Sequence, residues 1–511
     1  LLNDRLMPEN NPNMMEYTDA TPVQIEAAMQ QAWIAFQTYK NSSLRQRADF
    51  MRAIADELAQ SAAELVSTAM EETQLTEARL RSELARTQFQ LTSYGAACER
   101  GTWLDVRIDT ALPDRQPPRP DIRKMLVPLG PVVVFGAANF PFAYSTAGGD
   151  TACAFAAGCP VIVKAHPAHA RTSELAAACI QRAAMKCGMP SGIFAHLHGV
   201  SNEVGKTLVE HTYTRAVGFT GSFAGGKQLF DWANQRKQPI PVFAEMSSIN
   251  PVFLLPEKLE TDAVSIAEQY AASITLGVGQ FCTNPGLLIA VASPALDHFA
   301  SELSAAIQRT VPGTMLHTGI FKNYVERRAL ALSQSDVEML AVSAQEPQYN
   351  QAAATLATVP ASVFLANPLL HQEVFGPYSL LVQCSSLDEM LQVAQALEGQ
   401  LTTSVIATVA EATRHTALIN AIQDICGRLI LNGVPTGVEV CLSMQHGGPF
   451  PATTDSRFSA VGADGIRRFA RPLAYQQWDN TLLPPALQDE NPWGIWRTIN
   501  DELTKEAVKR D

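Results

Sequence analysis

From residue 131 onward, short apolar runs return at regular intervals, and this rhythm constrains the chain more than any other feature. The runs at 131–136 (PVVVFG), 160–164 (PVIVK), 193–197, 216–220 and 241–245 are strand-like, and three of them open on Pro. Helical stretches separate them, such as 173–186, which is followed by Gly188 and Pro190. Strands alternating with helices at this spacing predict an α/β fold, a mostly parallel sheet with helices on both faces. A second set of this kind begins near Asn250, with strands predicted at 251–255 and 287–292 and helices at 261–276 and 295–309. Before the first set, apolar residues recur at three- and four-residue spacing over 21–36 and 44–70, which predicts helices. The segment 107–123 contains ALPDRQPPRPDIR and is incompatible with a continuous helix. The last segment, with Pro472, Pro484, Pro485 and Pro492, reads as an extended arm.

At 511 residues the chain exceeds one ordinary domain, so two or three units are expected. Its net charge of −12 argues against nucleic acid or an anionic membrane as the main partner. The apolar stretch at 131–144 is too short to span a bilayer and is interrupted by Gly136, Asn139 and Pro141. The first ten residues show no basic segment leading into a sustained apolar one, so no secretory leader is expected. Nine cysteines without a CxxC pair point to free thiols in a reducing compartment, and a cytoplasmic location is the expectation.

Ligands of such sheets sit at the carboxyl ends of the strands, and four of these ends carry notable residues. Asn139 follows the first run, Lys164 ends the second, Gly221 and Ser222 follow the fourth, and Glu245 ends the fifth. Backbone N–H groups at a helix start after Gly221 suit a diphosphate, although glycines that merely close a turn explain the pattern equally well. Cys282 lies in a glycine- and proline-flanked loop (LGVGQFCTNPG), and Glu373 lies in QEVFGP. A lone Cys is more often an inert core residue, and a lone Glu a surface one. His196 and His198 alternate along one run without a third ligand, so no metal site is expected.

Together the segments GPVVVFGAANFP, CPVIVKAHPA, VGFTGS, AEMSSINP, GQFCTNPG, EVFGP and LNGVPTG resemble the aldehyde dehydrogenase superfamily, in the family's order and over nearly the whole chain. The resemblance implies a Rossmann-like dinucleotide-binding domain (1–100 and 127–247), an α/β catalytic domain (248–451) and a small oligomerisation element (101–126 and 470–500). It implies oxidation of an aldehyde to a carboxylic acid with Cys282 as nucleophile, Asn139 as oxyanion donor and Glu245 as the base that activates water. Lys164, Gly221, Ser222, Glu373 and Phe375 would bind the cofactor, and a homodimer or homotetramer is expected. Many relatives carry Glu three residues after the lysine, where this chain has Pro167; with Lys164, His166 and Arg171 near, NADP is the expected cofactor, with NAD also possible. Within the superfamily the segments are most similar to the ketoglutarate-semialdehyde (2,5-dioxovalerate) dehydrogenases, whose substrate is an anionic oxo acid. His446 would then border the substrate tunnel, and Arg457 is a candidate partner for a substrate carboxylate. Broad or long-chain aliphatic aldehyde oxidation is the alternative within that reading. A CoA-acylating dehydrogenase, a cysteine hydrolase using Cys282 and His446, and a non-catalytic binding protein are the competing ones.

Overall fold

Valine-rich runs of four or five residues, too short to be helices of their own, pair laterally into a sheet when helices cover both faces. In the computed structural model, which describes residues 17–509, five of them do so. They are β1 (Val132–Phe135), β2 (Val161–Lys164), β3 (Phe194–Leu197), β4 (Ala216–Thr220) and β5 (Val242–Glu245). All neighbours are parallel, in the order β3-β2-β1-β4-β5. Successive side chains face opposite ways, as the pleat requires. Val132, Val134, Val161 and Val163 join one core with the helices Leu44–Gln60, Glu77–Arg100 and Gly149–Ala157. Val133, Phe135, Ile162 and Val217 join another with the helices Pro22–Tyr39, Asn202–Glu210 and Phe223–Gln235.

The second set forms a seven-stranded sheet from β6 (Val252–Leu254), β7 (Leu287–Val291), β8 (Glu338–Val342), β9 (Thr355–Pro360), β10 (Tyr378–Cys384), β11 (Gln400–Ile406) and β12 (Cys426–Leu431). Its order is β8-β9-β10-β7-β6-β11-β12, and only the β8–β9 pair is antiparallel. A third sheet combines Arg107–Asp109 and Ile122–Pro128 with Ala470–Gln476, Arg497–Ile499 and Glu502–Thr504, so the proline-rich excursion and the C-terminal arm pair although far apart in sequence.

Three local expectations need correcting. The apolar periodicity over 44–70 belongs to two helices, Leu44–Gln60 and Ala62–Thr73, because Ser61 leaves helical geometry (φ −94°, ψ 8°) and its hydroxyl accepts from Arg182. The helix expected from 261 starts at Pro256, where proline's fixed φ suits a first turn. His198 lies one residue beyond the end of β3 and stacks on Tyr17, with ring centroids 4.2 Å apart. The reading of the first ten residues as lacking a leader falls outside the described residues. Among those described, no helix is long and apolar enough to cross a membrane.

Candidate active site

The strand order 3-2-1-4-5 reverses direction between β1 and β4, and parallel register brings the carboxyl ends to one edge. Phe135 pairs with Lys164 and Phe219, and Thr220 with Glu245. Asn139, Lys164, Gly221, Ser222 and Glu245 therefore share that edge. Asn139 is half-buried in the loop after β1, and its Nδ2 donates to the Gln280 carbonyl at 3.1 Å. One amide hydrogen thus ties β1 to the loop carrying Cys282, and the other remains for a ligand.

That loop follows the helix Pro256–Thr275 through three consecutive left-handed residues, Gly277 (φ +55°), Val278 (φ +59°) and Gly279 (φ +65°). For a β-branched residue this conformation costs on the order of 1–3 kcal/mol, so the surroundings must impose it. Asn250 Nδ2 holds the loop by donating to the carbonyls of Cys282 (2.8 Å) and Asn284 (2.9 Å), and Asn284 Nδ2 donates to the Gly376 carbonyl at 3.2 Å. Gly279 lies against the EVFGP turn so closely that a Cβ would come within 2.3 Å of the Gly376 backbone. Gly279→Ala should therefore destabilise the protein by at least about 2 kcal/mol, and equilibrium denaturant unfolding measures it.

Opposite the loop, the thiol meets two buried groups. Cys282 Sγ lies 3.6 Å from His446 Nε2, which lies 3.0 Å from Glu245 Oε1. Glu245 is 3% exposed and His446 1%. Glu245 Oε2 and His446 Nδ1 have no hydrogen-bond partner among the described residues. Burial pushes Glu245 up, but the charge and hydrogen bond of His446 and a hydrogen bond from Cys282 outweigh it and hold the carboxyl below its ordinary value. Burial first, and then the Glu245 charge, push the Cys282 thiol well above its ordinary value, while its own backbone N–H works the other way. An ionised carboxylate at 3.0 Å calls for a proton on His446 Nε2. The imidazole thus stands between the two groups that would otherwise repel as anions.

Two arginines bear on this site, Arg428 through the charge of Cys282 and Arg86 through Tyr144. Arg428, on β12, is half-buried, and its Nη atoms donate to the carbonyls of Gly437 and Pro435 while Nε has no partner among the described residues. Burial pulls its guanidinium below the ordinary value, against attraction from Cys282 and Tyr144. Arg86 Nη2 reaches Tyr144 Oη at 3.5 Å. Arg457 is exposed and its guanidinium is taken up by hydrogen bonds to Asp455 (2.8 and 2.5 Å).

The residues expected to bind a dinucleotide lie along this edge and in the EVFGP turn. Gly221 and Ser222 are exposed at the start of the helix Phe223–Gln235, where Ser222 Oγ accepts from Gly225 N at 3.2 Å. The helix start offers N–H groups and positive dipole to phosphates. Lys164 is half-buried, and burial lowers its ammonium despite the nearby Asp19. Glu373 and Phe375 line a cleft with Ser248, Gly279 and Gly376. Burial pushes Glu373 up to about 7, opposed by hydrogen bonds from Ser247 and the Ser248 backbone. A ribose hydroxyl donating to this carboxylate would favour its ionised form. Near Lys164, Pro167 is exposed, whereas Arg171 reaches toward Glu71 (3.4 Å) on the surface. The sequence reading missed His317, whose ring centroid lies 6.1 Å from that of His166. It also missed Asn250 and Arg428, which no local motif marks, although both fall in or next to segments that carry the family resemblance.

The chain belongs to the aldehyde dehydrogenase family, whose model matches residues 3–451. It is 47% identical over 479 residues to alpha-ketoglutaric semialdehyde dehydrogenase 2 of Azospirillum brasilense, covering 94% of this chain and 91% of that relative. It is 44% identical over 492 residues to the alpha-ketoglutaric semialdehyde dehydrogenase of Acinetobacter baylyi, covering 96% and 93%. Among solved structures, a 1-pyrroline-5-carboxylate dehydrogenase from Thermus with bound NAD superposes with a TM-score of 0.75 at 22% identity, covering 90% of this chain and 86% of that one. The fold is thus that of an aldehyde dehydrogenase, and the chain is an aldehyde-oxidising enzyme that uses a nicotinamide dinucleotide.

Proposed function

We propose that this enzyme oxidises α-ketoglutaric semialdehyde (2,5-dioxopentanoate) to 2-oxoglutarate and accepts NADP. Cys282 Sγ attacks the aldehyde carbonyl, and the resulting oxyanion is held by the free amide hydrogen of Asn139 and the Cys282 backbone N–H; losing one such donor typically costs about 100- to 1,000-fold in rate. The bound dinucleotide supplies the hydride acceptor. Glu245 takes a proton from the water that cleaves the thioester left on Cys282. The thiol proton leaves to solvent as the sulfur attacks, and the His446 Nε2–H, 3.6 Å from the sulfur, steadies the thiolate. Lys164 and Glu373 would bind the two riboses, Gly221 and Ser222 the diphosphate, and Phe375 the nicotinamide ring.

The observation that carries the choice of an anionic substrate is Arg428, a half-buried cation with an unpartnered Nε that is electrostatically coupled to the thiol. The carboxylate of 2,5-dioxopentanoate, four carbons from the reacting aldehyde carbon, would find there a charge-assisted partner worth about 1.5–3 kcal/mol, roughly 10- to 100-fold in affinity. The two semialdehyde dehydrogenases of similar sequence point the same way. Pro167 leaves no carboxylate to repel a 2′-phosphate, which supports NADP.

A panel of oxo-acid, short aliphatic and long aliphatic aldehydes, each assayed with NADP and with NAD, tests both choices. The oxo-acid semialdehyde should give the highest kcat/KM, and Arg428→Gln should raise KM for it by about 10- to 100-fold while sparing a neutral aldehyde of equal length. Preference for neutral long-chain aldehydes would sink the substrate assignment, and a strong NAD preference the cofactor assignment. Glu245 beside the thiol favours hydrolysis of the thioester over transfer to CoA, and product analysis with CoA present distinguishes the two.

A further inference from the structure

The proposed mechanism uses Cys282, His446 and Glu245 one at a time, but their geometry also serves them as a set. A thiol sulfur, an imidazole nitrogen and a carboxylate oxygen all lie within 4.8 Å of one another, and no other such trio occurs among the described residues. Tetrahedral zinc, with Zn–S of about 2.3 Å and Zn–N of about 2.0–2.1 Å, separates its sulfur and nitrogen ligands by about 3.5 Å. Cys282 Sγ and His446 Nε2 are 3.6 Å apart. The nitrogen-to-oxygen edge should be about 3.3 Å, and His446 Nε2 to Glu245 Oε1 is 3.0 Å, a difference of a few tenths of an ångström. The Glu245 carboxylate has room in its hydrogen bonding to adjust, because Oε2 is buried and has no partner among the described residues.

We propose that these three side chains form a reversible, inhibitory zinc(II) site in the enzyme. A thiolate and a carboxylate together cancel the charge of the ion, so the occupied site is neutral in a pocket where an unpaired charge would be costly. Three protein ligands leave one tetrahedral position, which water or a substrate oxygen would fill. On binding, the Cys282 S–H bond breaks, sulfur keeps the electron pair and donates it to zinc, and the proton leaves to solvent. If His446 Nε2 carries its proton, the imidazole shifts that proton to the unpartnered Nδ1 so that Nε2 can bind; nothing is oxidised or reduced. Zinc therefore binds more tightly as pH rises. The ion withdraws both the sulfur lone pair needed for attack and the carboxylate needed for deacylation. Inhibition rests on the roles proposed above for Cys282 and Glu245, whereas binding of the metal does not.

The test uses the full chain after chelator treatment, with zinc chloride and, as an optical reporter of the same ligands, cobalt(II). Zinc should raise Tm, inhibit aldehyde oxidation with competition from aldehyde, and release its inhibition to EDTA. Cobalt(II) should give a thiolate-to-metal charge-transfer band in the near ultraviolet that is lost in Cys282→Ser. His446→Phe should weaken zinc binding by more than about 100-fold, beyond what disturbing a ligand's supporting contacts produces, and Glu245→Gln should weaken it independently. Cooperative unfolding of each variant confirms that it is folded. A missing cobalt band, or zinc affinity unchanged in both folded variants, would overturn the site. A cobalt band in a chain that oxidises no aldehyde would overturn the functional reading and leave the metal site standing.

Discussion

Cys282→Ala should lose aldehyde oxidation by more than about 10⁴-fold, since it removes the sulfur that forms the covalent intermediate. Affinity for the dinucleotide should stay within about threefold, a small change on the free-energy scale of binding. The groups proposed to hold the cofactor stand on other elements: Lys164 on β2, Ser222 at a helix start, Glu373 in the turn before β10. Isothermal titration with NADP and NAD, run beside the activity assay, separates the two effects. Retained oxidation in the Ala variant would refute the nucleophile. The wild type carries a further signature. Burial and the Glu245 charge favour the protonated thiol, so the thiolate fraction at neutral pH is small and depends on the His446 N–H that faces the sulfur. Alkylation of Cys282 by iodoacetamide should therefore accelerate with rising pH, and His446→Phe should slow it at neutral pH.

Much of this architecture is legible in the sequence because a doubly covered parallel strand needs an apolar residue on both faces. That requirement writes PVVVFG and PVIVK as unbroken apolar runs, and parallel pairing then fixes which end of each run carries chemistry. Asn139, Lys164 and Glu245 could be located in this way before any coordinates. Other features depend on contacts between distant segments and leave no local trace. Nothing around residue 428 announces a guanidinium near a thiol that is 146 residues earlier in the chain. Arg457 has the more suggestive surroundings, Thr454-Asp455-Ser456, yet its guanidinium is exposed and partnered by Asp455 two residues before it. The break at Ser61 is hidden because apolar periodicity continues in phase on both sides of it. Local sequence leaves His446 ambiguous between a tunnel wall and a structural residue. Only the fold shows that its Nε2 stands between a thiol and a carboxylate.

Glu245→Gln should separate the two halves of the reaction. Acylation needs Cys282 and an oxyanion site, both untouched, so a single turnover should still release one equivalent of reduced dinucleotide as a burst. Hydrolysis of the thioester then loses its base, and steady-state turnover should fall by about 10²- to 10⁴-fold. Intact-protein mass spectrometry should find the acyl group on Cys282. The amide also removes the negative charge that raises the thiol, so the alkylation profile of Cys282 should move to lower pH, opposite to what mere damage to the pocket would give. Stability carries its own sign. The fold holds Glu245 below the ordinary carboxylate value of 4.5, chiefly through His446 acting against burial. Its ionised form therefore stabilises the native state above that pH, and the contribution is lost as pH falls through the lowered native value. The Gln variant should be less stable than wild type at neutral pH, and the gap should narrow in acid. Loss of the burst together with turnover would remove Glu245 from deacylation and give it a part in the first step.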